Sequence, residues 1–151
     1  MKHMHFTSRN FLMFGVALSL SGFIGVDSAH QLVENGNTFY TEARYQDALS
    51  SYQRAALSEP ESGVIQFNLG NAYFKLKKFD RALSAYQRAA ERDSDNGNIF
   101  YNIAQVYIER GDEEEAIRHL KQAIVHDVND PEVYYQLGGL YHKIGKAREA
   151  R

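Results

Sequence analysis

From residue 29 onward, small and aromatic residues recur at i, i+4 and i+7 with polar residues between them, as in Ala82, Tyr86 and Ala89. That spacing places them on one face of a helix. A second pattern precedes each of these: an apolar residue, a glycine and, three residues on, an aromatic, as in Leu69, Gly70 and Tyr73. The alternation predicts helix pairs over 30–42 with 45–58, 63–76 with 79–92, and 97–110 with 113–126. One more first helix is predicted over 131–144. Turns are expected at Pro60 and Pro131 between pairs, and at Gly111 and Gly145 between the helices of a pair.

The patterns repeat with a period of 34 residues. Gly36 returns as Gly70, Ala104 and Gly138, and Phe39 returns as Tyr73, Tyr107 and Tyr141. Ala48, Ala82, Ala116 and Ala150 form a third column. Tyr52, Tyr86 and Leu120 form a fourth, and Ala55, Ala89 and Ala123 a fifth. A period in this range marks a stacked array of supersecondary units. The units are 29–62, 63–96 and 97–130, followed by a partial one over 131–151. Small residues at fixed places let paired helices approach closely, and the large aromatics fill the gaps beside them.

Residues 1–28 break the pattern. Lys2 and Arg9 precede Phe11–Val26, sixteen residues without a charge, and the next ionisable group is Asp27. A basic start, an apolar stretch and small residues afterwards are the signature of a secretory signal peptide. Sixteen helical residues span roughly 24 Å, short of the hydrocarbon core of a bilayer. Val26 and Ser28 are the small residues before a cleavage that would leave Ala29 first. The bulkier Asp27 between them leaves an uncleaved signal anchor as the alternative, with Lys2 and Arg9 inside. Export or membrane tethering, in a periplasmic or other extracytoplasmic setting, is the expectation. Any membrane contact runs through this segment alone.

At 151 residues the chain holds about one domain. Lys and Arg number 17 and Asp and Glu 19, a balance that argues against nucleic acid as the partner. The absence of cysteine excludes disulfides, thiolate metal sites and a cysteine nucleophile. His119 and His126 lie seven apart with no third ligand at metal spacing and read as solvated histidines. Glu113, Glu114 and Glu115 after Asp112 suit a helix start, where negative charge meets the positive end of the dipole. No nucleophile elbow, phosphate loop or paired-histidine zinc motif occurs. No catalytic residue, metal or cofactor is expected.

These columns resemble the tetratricopeptide repeat (TPR) family, whose unit carries an aromatic, Leu-Gly, Tyr, Ala, aromatic, Ala and Pro over 34 residues. FNLGNAYFKLKKFDRALSAYQRAAERD, over 67–93, matches best. The third unit has Ala104 for the glycine and Leu120 for the second aromatic. No tryptophan occurs, and Leu32, Gln66, Phe100 and Tyr134 fill that column. The opening units are also similar to those of exported TPR proteins from bacterial aerotolerance operons. The resemblance implies an all-α fold, a right-handed α-solenoid with three complete repeats and one truncated. It also implies a concave groove lined by the first helices of the pairs.

On the implied groove lie Glu34, Asn68, Asn102 and Gln136 and, three residues further, Asn37, Asn71, Gln105 and Gly139. Each carboxamide has two donors and an acceptor oxygen, which suits an extended peptide backbone. Val33, Phe67, Tyr101 and Tyr135 flank them, with Tyr40, Phe74, Ile108 and His142 beyond. These aromatics are core by spacing, and Phe67 and Tyr101 are candidates to leave an edge for a ligand. Asn37, Asn68, Asn71, Asn102, Gln105, Phe67 and Tyr101 are therefore the candidate peptide-binding residues. TPR co-chaperones grip a terminal carboxylate with cations beside groove asparagines. Here Val33, Asn98 and Asn102 stand at the cationic places, so that clamp is not expected.

The expected function is a scaffold that binds a protein or peptide segment and supports assembly of a complex. The alternatives are a self-assembling scaffold and a non-catalytic accessory of an envelope enzyme. Five residues from Ala147 are too few to nucleate a helix, so the apolar face of 131–144 is expected to lack its partner. Either the chain is a piece of a longer protein or another chain, a second copy included, covers that face.

Overall fold

In a computed structural model the structure describes residues 27–149. The segment expected to direct export lies, apart from Asp27 and Ser28, outside the described residues. Seven helices and no strands make up the described residues. They are α1 (Ala29–Thr41), α2 (Tyr45–Ser58), α3 (Gly63–Lys75), α4 (Phe79–Arg92), α5 (Gly97–Arg110), α6 (Glu113–Val125) and α7 (Pro131–Glu149). The first six follow the predicted pairs to within one residue at either end.

One turn is built three times. Ala43, Lys77 and Gly111, spaced by 34, all have left-handed backbone, with φ of 58°, 58° and 77°. The next N–H reaches back five residues in each case: Arg44 to the Phe39 carbonyl at 2.8 Å, Lys78 to Tyr73 at 2.9 Å and Asp112 to Tyr107 at 2.9 Å. This satisfies carbonyls that the helix end would otherwise leave open and reverses the chain. Only Gly111 announces the turn, because a glycine adopts that conformation without a Cβ penalty.

Each helix packs on its sequence neighbours, and α3 also touches α5, so first helices lie side by side. The helix pairs close on alanines: Ala48, Ala55, Ala82, Ala89, Ala116 and Ala123 are fully buried. A tyrosine lies over each repeat glycine of the first two pairs. A Cβ on Gly36 would meet Tyr52 Cε1 at 2.4 Å, and one on Gly70 would meet Tyr86 Cε1 at 2.4 Å. In the third pair the fully buried Ala104 and Leu120 take these two places.

Two expectations need correction. Gly145 makes no turn, because α7 runs through it to Glu149. The residues after Gly145 need not nucleate a helix, since extending an existing one adds a hydrogen bond per residue. His119 is not solvated but 8% exposed. Its ring stacks on Tyr107 (centroids 5.5 Å apart) and Phe100 (6.4 Å) between α5 and α6.

Candidate ligand groove

The first helices bring three of the expected residues around one open concavity of about 350 Å³: Asn71 on α3, and Asn102 and Gln105 on α5. Tyr40, Phe74, Lys75 and Tyr86 complete its lining. The other candidates lie outside it. Asn37 on α1 accepts a bond from the Tyr52 hydroxyl at 2.9 Å. Asn68 is half-buried on α3. Phe67 packs with its ring 6.0 Å from that of Tyr86, and Tyr101 packs against the core around Ala104, Leu120 and Val133.

The amides form two bonded pairs along the groove. The Asn102 amide donates to Asn71 Oδ1 at 2.9 Å, and the Gln105 amide donates to Gln136 Oε1 on α7 at 2.7 Å. From below, the Tyr86 hydroxyl donates to the same Asn71 oxygen at 2.8 Å. Both lone pairs of that oxygen are thus engaged, and what Asn71 offers a ligand is its amide N–H donors. Asn102 and Gln105 keep their carbonyl oxygens to accept. Lys75 adds one ammonium at the rim.

Tyr86 was legible only as a packing residue. Its ring is buried, yet its hydroxyl forms part of the groove floor, because a buried phenol requires a partner. Burial, the largest cause, and the neighbouring Tyr40 push the Tyr86 hydroxyl's pKa far above its ordinary value of 10. Burial likewise pushes Tyr52 up to about 12. Both hydroxyls therefore stay protonated donors that fix Asn37 and Asn71 in orientation. The signal that could have found this is the paired recurrence of asparagine and tyrosine, fifteen residues apart, in the first two units.

Among the described residues no group of three or more His, Asp or Glu side chains is placed to hold a metal ion. No helix among them is long and apolar enough to cross a membrane. Glu113, expected as a solvated first-turn residue, pairs with Lys143 on α7, and that partner lowers its pKa.

Residues 33–98 and 76–137 each match a family model described as tetratricopeptide repeat. No curated protein sequence matches the chain. Among solved structures, the first TPR domain of Spaghetti (RPAP3) bound to the HSP90 peptide SRMEEVD is 22% identical, with a TM-score of 0.73 over 80% of this chain and 99% of that one. MamA is 23% identical, with a TM-score of 0.75 over 79% and 70% of the two chains. The Yersinia enterocolitica type III secretion chaperone SycD, in complex with a peptide of the translocator YopD, is 21% identical. Its TM-score is 0.70, over 76% and 92%. At these identities the likeness is one of fold.

Proposed function

Because this chain belongs to the tetratricopeptide repeat family, we propose that it is a protein-interaction scaffold whose concave side binds an extended segment of a partner protein. The observation that carries this reading is the convergence of Asn71, Asn102 and Gln105 around the 350 Å³ concavity, with the Asn102 amide bonded to Asn71. A peptide backbone presents alternating donors and acceptors, and the three side chains answer both: N–H groups from Asn71, carbonyl oxygens from Asn102 and Gln105. Tyr40 and Phe74 supply apolar surface beside it. Peptides held by two of the similar structures, the RPAP3 domain and SycD, support the reading. With Lys75 as the single cation of the lining, the segment bound is an internal, largely neutral one rather than an acidic chain end.

The basic start and the charge-free run Phe11–Val26 support export or membrane tethering of this scaffold. A reporter active only outside the cytoplasm, fused after Arg151, should then be active; activity from a cytoplasm-only reporter would overturn export. For the groove, peptides selected from a displayed library against the full chain should bind roughly fivefold to thirtyfold more weakly to the Asn102→Ala/Gln105→Ala double variant. The melting temperature should stay nearly unchanged. Failure to select any peptide, or equal affinity for the variant, would overturn the groove reading.

A further inference from the structure

The helices α4 and α6 occupy the same register, 34 residues apart, but treat one place differently. In the third unit the ring of His119 stacks between Phe100 and Tyr107, with centroids 6.4 and 5.5 Å away. The same columns of the second unit hold Gln66, Tyr73 and Ala85. Gln66 is tied to the loop before α3, its amide donating to the Pro60 carbonyl at 2.9 Å, and Ala85 carries no ring. An open cleft of about 280 Å³ results, bounded by these three residues over the buried Leu69. It lies on the side of α3 turned away from the concave groove. Gln66, Leu69 and Tyr73 share one face of that helix, and Asn71, Phe74 and Lys75 share another.

Two arginines border the cleft. Arg81, Ala85 and Arg88 follow at i, i+4 and i+7 on α4, so one guanidinium stands on either side of Ala85. Both arginines are exposed. Arg81 lies over the Tyr73 ring, 5.9 Å from its centroid, and forms no ion pair among the described residues. Arg88 reaches only Glu61, at 3.9 Å, a carboxylate that Arg92 also holds. Asp47 and Arg54 stand at these two places in the first unit, and Glu115 and Gln122 in the third. The paired cations therefore occur only in the unit whose ring place is open.

We propose that this cleft binds an acidic segment of a partner protein, which inserts an aromatic side chain against Ala85 and Tyr73 and sets flanking carboxylates on Arg81 and Arg88. The cleft's volume is at the foot of the range for ligand pockets, about 300–1,000 Å³, and suits one inserted side chain. Ring contact with Tyr73 supplies one half of the recognition, and charge-assisted bonds from two guanidinium forks supply the other. Residues 1–26 contain no Asp or Glu, so that segment of this chain does not provide the complement. The site is separate from the concave groove and does not rest on it.

The probe is a labelled peptide with blocked ends and one phenylalanine between two pairs of aspartates. It should bind the full chain one to one, and more weakly as salt is raised. Arg81→Gln/Arg88→Gln in the chain should weaken binding at least roughly tenfold. The melting temperature should stay nearly unchanged, because both side chains are exposed. Replacing the phenylalanine by alanine should weaken the peptide by a similar factor, which attraction between charges alone would not do. Ala85→His, which places in the cleft the ring that the third unit carries, should also block the peptide. The Asn102→Ala/Gln105→Ala variant should bind it normally, which separates this site from the groove. Absence of binding, or binding indifferent to the arginines or to the phenylalanine, would overturn the proposal. So would a concentration-dependent dimer of the free chain that Arg81→Gln/Arg88→Gln dissolves, since a second copy would then fill the cleft.

Discussion

The second and third helix pairs share one register and solve the same packing problem with different side chains. In the second, Gly70 faces Tyr86 and the Tyr86 hydroxyl holds Asn71. In the third, Ala104 faces Leu120, and Gln105, with no phenol below it, bonds along the groove to Gln136. Three columns therefore change together. A ring needs a residue without a Cβ opposite it, a leucine accommodates a methyl, and the groove amide takes whichever partner the floor supplies. Packing and groove chemistry are thus coupled through one residue of each second helix.

The strongest test converts one pair toward the other. Gly70→Ala should destabilise the chain by about 3 kcal/mol in denaturant unfolding, because its methyl would enter the Tyr86 ring. Adding Tyr86→Leu should recover at least about 1 kcal/mol of that loss, despite the bond lost to Asn71. Additive losses in the double variant would show that the two columns are independent.

Acid should separate the pairs next. The third carries His119 where the second carries Ala85. Burial, first, and the adjacent Arg118 lower the His119 pKa from 6.5 to about 4, with Glu115 opposing. Arg118 Nη2 lies 2.7 Å from Nε2, and since arginine only donates, Nε2 accepts and the ring is neutral. Above pH 6.5 the ring is neutral in the folded and unfolded chains alike. Below it the unfolded chain takes up a proton that the folded one refuses, so stability falls with pH and levels off near pH 4. The loss should reach about 2 kcal/mol at pH 5. Hydrogen exchange should show α5 and α6 losing protection before α3 and α4, and His119→Phe should remove the difference.

Smaller effects follow at the groove and the turns. Asn71→Ala strips the acceptor from the Tyr86 hydroxyl and should cost about 1.5 kcal/mol, whereas Gln105→Ala should cost less than about 0.5 kcal/mol. Equal costs would mean that the Tyr86 bond does not distinguish the two pairs. Lys77→Gly should stabilise the chain by about 1 kcal/mol, by relieving left-handed backbone that Gly111 already tolerates. The exposed Lys77–Glu109 ion pair lost with it contributes little. Unchanged unfolding midpoints would show that this turn carries no such strain.

What the sequence determined by itself is everything that a 34-residue period encodes locally. The helix pairs, the alanine columns and the turn at Gly111 are legible because helical periodicity and backbone preference act over a few neighbouring residues. The tertiary structure decided which columns meet. That the Tyr86 hydroxyl reaches Asn71 fifteen residues away, that His119 is sandwiched between Phe100 and Tyr107, and that Ala43 and Lys77 accept left-handed backbone all depend on helices packing against one another. Of the candidate groove residues, Asn71, Asn102 and Gln105 converge, while Phe67 and Tyr101 turn into the core, a choice that identical spacing could not make. Gly145 shows the same limit. Its column turns the chain wherever a second helix packs back, and α7 stays helical through it because continuing the hydrogen-bonded spiral satisfies the backbone, and among the described residues nothing lies within 4 Å of a Cβ built on Gly145.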